Sequence, residues 1–343
     1  MQYFYDKADS ALSIDDIQCP SATRGVAIGS IHEGDHQKPV VLVTTDGGAH
    51  WQITNFKEFP VSLFFLNENL GWMVTTRGLW VTHEAGKSWQ KLPKVPGEIY
   101  RVYFTDEQHG WAAGANKKIF ATANGGRRWT AVAAAEGLPG QSQYSAYTWI
   151  AFVTPQIGLI TGWNQPPQHQ GVNFPDWMDP RATVEDRETP HLSYQLTTND
   201  GGKHWTPQSA SLFGSVMRVR FSKAGVGMGL IAFGPTFEYP SEVYRIDGDN
   251  GKSTPVYHNT KIDITDIGFS PDGTAYLAGI QVPGQLRDVV PGPVKVLKSS
   301  DYQHWTEMPV DYRAAATNVT LAIADDHHLW LATDGGMILK LMP

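Results

Sequence analysis

The chain of 343 residues has one cysteine, Cys19, so it can form neither an internal disulfide nor a cysteine-based zinc site. It has no apolar run long enough to cross a membrane as a helix, and no membrane insertion is expected. Positive charge is in short supply. Lys and Arg number 27 against 34 Asp and Glu, and the net charge of −7 argues against a nucleic-acid binder or a polybasic membrane binder. The opening MQYFYDKADS lacks a basic region followed by an apolar stretch. As written the chain reads as cytoplasmic, and as extracytoplasmic if a leader has been trimmed. No GxSxG, P-loop, HExxH or dinucleotide fingerprint occurs, so no cofactor is expected. Apolar residues make up 41%, which excludes a disordered chain. Gly and Pro together number 56, more than usual, and point to many turns and many short strands.

One motif recurs. Thr44-Thr-Asp46-Gly-Gly48-Ala-His-Trp51 returns at Thr82–Trp89, at Thr122–Trp129 and at Thr198-Asn-Asp200-Gly-Gly202-Lys-His-Trp205. Degenerate copies stand at Asp247–Thr254, without the Trp, and at Ser299–Trp305, one residue short. A second pattern covers the whole chain. An apolar residue (Cys19, Phe65, Phe104, Phe152, Phe221, Phe269, Ile323) is followed six residues later by Gly25, Gly71, Gly110, Gly158, Gly227, Ala275 and Leu329. Next in sequence comes a larger apolar residue: Val26, Trp72, Trp111, Leu159, Met228, Tyr276 and Trp330. The seven copies lie 46, 39, 48, 69, 48 and 54 residues apart.

Each unit reads as a four-stranded meander of short apolar or alternating runs between turn signals. In the third unit the strands are expected at Tyr100–Phe104, Trp111–Gly114, Ile119–Thr122 and Trp129–Ala133, with a tight turn at Asn116-Lys117. Such units at this period predict an all-β, seven-bladed β-propeller of four-stranded antiparallel blades, occupying residues 1–343 as one domain. The seventh unit has three strands, and the N-terminal segment QYFYD is expected to supply the fourth and close the ring.

The Ser/Thr-x-Asp-x-Gly-x-x-Trp pattern resembles the Asp-box, or bacterial neuraminidase repeat. The Gly-Trp pairs at 71–72 and 110–111 resemble the photosystem II stability and assembly factor-like branch of that superfamily. The resemblance spans nearly all of the chain except 164–192. It implies a seven-bladed propeller and, in the photosynthetic members, a non-enzymatic, protein-binding role. Asp-boxes also occur in sialidases and related enzymes, which implies a glycoside hydrolase as the alternative.

Physically the Asp-box is a turn device: carboxylate and hydroxyl accept backbone N–H groups, Gly supplies positive φ and Trp packs beneath. Asp46, Trp51, Trp89, Trp129, Asp200 and Trp205 are therefore assigned to structure, not catalysis. Function is expected where the repeat is broken, on loops held by the scaffold. Loops joining second to third strands are expected to be long at Ser30–Lys38, Gly234–Ser241 and Gln281–Pro293, all on the face that carries an insertion at 164–192. The insertion holds His169, Phe174, Trp177 and His191. It reads either as a lid or as a loop packed on its own blade.

Three residues before each first position of the second pattern lie Asp16, Ser62, Arg101, Trp149, Arg218, Asp266 and Thr320. They are expected at one level, near the channel mouth on the elaborated face. Asp16, Arg101, Trp149, Arg218 and Asp266, covered by Trp177, are the candidate ligand-binding residues, because Arg grips carboxylates and Trp offers a stacking face. The bland alternative, that these charges pair and line a wet channel, is favoured. His32-Glu33-Gly-Asp35-His36 and Asp325-Asp326-His327-His328 read as solvated charge clusters, and no metal site is assigned. The leading reading is a monomeric, non-enzymatic scaffold with a protein partner on the insertion face. A glycosidase would need a carboxylate pair, drawn from Asp16, Asp266, Asp176, Asp179 or Glu185. A third reading is a propeller that binds a carbohydrate or small acid without catalysis.

Overall fold

Short runs of two to nine residues, separated by turn-forming segments, leave strands as the only regular structure the described chain builds at length. The computed structural model describes residues 3–5, 7–166, 190–234, 237–248, 251–282, 290–311 and 313–341. Strand β1 is Tyr3–Phe4. Blade 1 is β2–β5 (Ala11–Gln18, Gly25–Glu33, His36–Thr44, Gln52–Asn55), and blade 2 is β6–β9 (Pro60–Phe65, Gly71–Thr75, Gly78–Thr82, Gln90–Lys91). Blade 3 is β10–β13 (Ile99–Phe104, His109–Gly114, Ile119–Ala123, Thr130–Ala131), and blade 4 is β14–β17 (Ser145–Phe152, Gly158–Asn164, His191–Thr198, Thr206–Leu212). Blade 5 is β18–β21 (Ser215–Phe221, Val226–Ala232, Ser241–Asp247, Ser253–His258). Blade 6 is β22–β25 (Ile262–Phe269, Ala275–Gln281, Gly292–Ser299, Thr306–Met308), with β26 (Ala315–Ala316) paired to the start of β24. Blade 7 is β27–β29 (Val319–Asp325, His328–Thr333, Met337–Leu341), completed by β1.

All seven sheets are antiparallel meanders, so the expected fold is the observed one. The closure is also as expected: Tyr3 pairs with Ile338 and Phe4 with Met337. Two local expectations change. Ser30–Lys38 is not a loop but a continuation of the β3–β4 ribbon, with Glu33 opposite His36 and a tight turn at Gly34-Asp35, because its alternation sustains the ladder. The fourth strand of blade 3 is shorter than expected. After Val132 donates to Ile119 O the chain leaves the sheet as a 3-10 turn at Ala133–Ala135, which carries Ala135 and Leu138 into the core between blades 3 and 4. The Asn116-Lys117 turn stands, both residues having φ of +58°, as a two-residue hairpin of type I′ requires. Residues 167–189, including His169, Phe174 and Trp177, lie outside the described residues.

The two sequence repeats meet in space. In the Asp-box of blade 1, Thr44 Oγ1 accepts the Gly48 N–H at 3.0 Å, and Asp46 Oδ1 accepts the His50 N–H at 3.0 Å. Asp200 repeats this bond with His204 at 3.0 Å, and Asn124 serves equally with Arg128 at 2.8 Å. In blades 1, 2 and 4 the second glycine of the box abuts the second-strand residue of the preceding blade, whereas Gly126 of blade 3 faces Leu92 and Leu79. A Cβ on Gly48 would lie 2.8 Å from Trp330 Nε1, and one on Gly86 would lie 2.5 Å from Val26 Cγ2. One on Gly202 would overlap the Trp111 ring. Trp129 and Trp205 are buried, whereas Trp51 and Trp89 are half-buried.

Gly202→Ala combines a φ of +75° with that overlap, and is expected to cost about 2–4 kcal/mol. Gly251→Ala, at φ +71° with no heavy atom within 4 Å, is expected to cost only the backbone part, roughly 1–2 kcal/mol. Urea melts of the two variants check the difference. Bonds from His50 and Thr44 hold the Asp46 carboxyl down at about 2, and bonds from His204 and Thr198 do the same for Asp200. A depressed folded pKa stabilises above the unfolded value near 4, and that contribution is lost as pH falls from about 4 to 2. An Asp46→Asn/Asp200→Asn double variant keeps the acceptors without the charge, so its melting temperature should fall less steeply over that window.

Candidate functional site

The inner strands β2, β6, β10, β14, β18, β22 and β27 surround the central channel. A β-bulge interrupts six of them at one depth: between Ile14 and Asp16, Pro60 and Ser62, Ile99 and Arg101, Tyr147 and Trp149, Val216 and Arg218, and Ile264 and Asp266. The residue after each bulge is the one the spacing selected. Bulges re-aim side chains, and here they deliver a ring of them to one level. That level is mid-strand, not the mouth. Asp16, Ser62, Trp149, Asp266 and Thr320 are all buried.

Much of the ring holds blade to blade. Asp16 accepts the N–H of Ile17 and, across the interface, that of Leu63, both at 2.9 Å. Asp266 accepts from Ile267 and from Leu321 of blade 7, again at 2.9 Å. Ser62 Oγ donates to Tyr100 O at 2.7 Å, and Trp149 Nε1 donates to Val219 O. Asp16 and Asp266 are thus committed to backbone amides. Neither is placed as one of a free acid–base pair, and Asp176, Asp179 and Glu185 lie outside the described residues.

The arginines are differently placed. Arg101, Arg218 and Arg220 gather on the Trp149 ring, with guanidinium carbons 4.1, 4.7 and 5.4 Å from its centroid. Arg218 Nε lies 3.7 Å and Arg220 Nη2 3.4 Å from the same Asp266 oxygen. Arg101 forms no ion pair among the described residues. Burial, opposed by Asp16 and reinforced by Arg218 and Arg220, brings its guanidinium down to about 10. Arg220 Nε is buried without a hydrogen-bond partner. The expected pairing of charges is therefore incomplete: Arg218 and Arg220 share the Asp266 carboxylate, and Arg101 has none in contact among the described residues. Arg220 is absent from the ring read from the sequence. Its position two residues after Arg218 on one strand, and so on the same face, is the signal that would have found it.

A cavity of about 270 Å³ extends from Arg101 and Trp149 past Arg220 to Cys19, Phe65, Phe152 and Phe221. These residues end the inner strands, so the cavity occupies the half of the channel toward the Asp-box turns, opposite the insertion. On the insertion side Leu212, Phe213 and Met217 are exposed, and Phe233 stacks on Phe237 at 4.0 Å over the Phe233–Pro240 loop closure. His32 is bonded to Ser30 and Gln37, and Glu33 is paired with Lys38 and Lys7. Asp325 is paired with His328 at 2.7 Å.

These features define an Asp-box propeller of seven blades with an arginine-rich channel. Residues 11–134 match the family described as photosynthesis system II assembly factor YCF48. No curated protein sequence matches the chain. Among solved structures, YCF48 bound to D1 peptide is 15% identical with a TM-score of 0.62, covering 99% of this chain and 96% of that one. YCF48 from Cyanidioschyzon merolae is 16% identical with a TM-score of 0.60, covering 98% and 97%. The extracellular domain of a putative hybrid two-component system from B. thetaiotaomicron is 12% identical with a TM-score of 0.57, covering 99% of this chain and 39% of that one. The resemblance to the photosystem II assembly factor-like propellers drawn from the motifs is borne out.

Asp266→Ala would leave the Ile267 and Leu321 N–H groups and two arginines unmatched in a buried site. It is expected to destabilise by about 3–5 kcal/mol. Chemical denaturation checks this. Arg101→Ala, which breaks no hydrogen bond or ion pair of the described chain, should unfold within about 1 kcal/mol of the parent.

Proposed function

We propose that this chain is a non-enzymatic binding propeller that takes an acidic segment of a protein partner into the arginine-lined half of its channel. The observation that carries the reading is the surplus of guanidinium groups around Trp149, with Arg220 Nε unsatisfied beside an open cavity. Buried donors without acceptors favour an anion that supplies them, and a carboxylate matches the guanidinium fork. The commitment of Asp16 and Asp266 to backbone amides supports binding without hydrolysis. The peptide-bound YCF48 structure, alike in fold, supports a peptide as the ligand class.

A second contact surface is favoured by Leu212, Phe213 and Met217, exposed on the face that carries the insertion. There the partner's body would rest on apolar side chains.

The test is a titration of the purified chain with acidic and basic decapeptides of matched length, at low and high salt. The acidic peptide should bind, weaken with salt, and lose at least tenfold in affinity in Arg101→Ala and Arg218→Ala. Equal binding of both peptides, or none, would count against the channel. Loss of binding in Phe213→Ser with no effect of the arginine variants would move the site to the insertion face.

A further inference from the structure

Blades diverge outward, so each interface leaves a wedge at the rim that something must fill. At two interfaces a long connector contributes to the filling. Residues 92–98, between β9 and β10, put Leu92 and Val95 into the core between blades 2 and 3. Residues 132–144, between β13 and β14, do the same with Ala135 and Leu138 for the next interface. Between β5 and β6 only residues 56–59 are available, and the wedge between blades 1 and 2 stays open as a groove of about 750 Å³. That is within the usual size of small-ligand sites.

The groove has a fixed aromatic wall. Trp80 is held by its Nε1–H to buried Glu58 at 2.9 Å and by Phe56, edge-on at 4.9 Å. Trp89 and Phe56 are half-buried and pack on the same core. Facing them are the exposed Gln52, Thr54 and Asn55, whose side chains make no hydrogen bond within the described chain. Lys57 and Lys87 line the groove too, exposed and without an ion pair among the described residues. One carboxylate, Asp46, lines it, and its oxygens are taken by Thr44 and His50.

We propose that this groove is a second binding site, independent of the channel, for an acidic saccharide. The C–H face of a pyranose would pack on the half-buried Trp89 and Phe56, Trp80 itself being buried. Its hydroxyls would bond the amide and hydroxyl groups of the rim, and its carboxylate would meet Lys57 or Lys87. A pair of carboxylates for hydrolysis is absent among the described residues of the groove, so the site binds and does not cleave. An extended peptide fits less well, because β5 offers an edge of only Gln52–Asn55 for strand addition.

The experiment is a calorimetric and tryptophan-fluorescence titration with tetragalacturonate, sialyllactose and neutral maltotetraose. At least one acidic saccharide should bind at least tenfold more tightly than maltotetraose. Lys57→Glu/Lys87→Glu should weaken it at least tenfold, and Thr54→Trp, which fills the groove from an exposed position, should abolish binding. Circular dichroism melts should show both variants folded. Arg101→Ala should leave saccharide affinity unchanged, so failure here and failure of the channel reading are separate results. Absence of binding by both acidic saccharides, equal binding of maltotetraose, or binding that survives both groove variants would overturn the proposal. So would displacement of the saccharide by the acidic decapeptide.

Discussion

The architecture leans on one contact, made in blades 1, 2 and 4: the tight Asp-box turn pressed against a second-strand side chain of the blade before it. At Gly48, Gly86 and Gly202 only glycine fits, since the backbone is left-handed there and the neighbouring ring or isopropyl group occupies the space of a Cβ. Thr44 and Asp46 hold the turn rigid so that the glycine can serve as a flat docking surface. The contact fixes the spacing and rotation of successive blades. It also spans the closure, where Gly48 of blade 1 meets Trp330 of blade 7 and Lys340 Nζ reaches Gly47 O at 3.2 Å. The ring is therefore sealed by the same packing that builds it, with β1 adding the ladder.

A second constraint works from the centre. A bulge repeated in six of the seven inner strands re-aims one residue in each, and the chain uses the aspartates there to tie backbone amides of adjacent blades. Spending the carboxylates on the scaffold leaves the arginines short of partners. Trp149 compensates in part, since its ring accepts several guanidinium groups at little desolvation cost. The result is a rigid scaffold with uncompensated positive charge inside a protein whose net charge is negative. Such a field favours an acidic ligand at short range without making the whole surface attractive to polyanions.

The rim shows how variation enters an otherwise repetitive fold. Connectors long enough to fold back become part of the core, as at Leu138 and Val95. The short connector 56–59 lies beside the open groove between blades 1 and 2.

The sequence by itself determined the blade count, the meander within each blade, the closure by the N-terminal strand and the structural role of the Asp-boxes. Those features rest on local chemistry: alternation sets strands, Gly and Asn set turns, and repetition multiplies a weak signal seven times. The sequence also placed Asp16, Arg101, Trp149, Arg218 and Asp266 at one level, because equal spacing in a repeat means equal depth. Only the tertiary structure decided what each does there. Whether an aspartate caps a neighbour's amide or faces a ligand depends on which blade lies beside it, and no local pattern encodes that. The same holds for Arg220 and for the Ser30–Lys38 ribbon, whose pairing partner alone separates strand from loop. It holds equally for the groove beside Trp80, which takes its lining from two different blades.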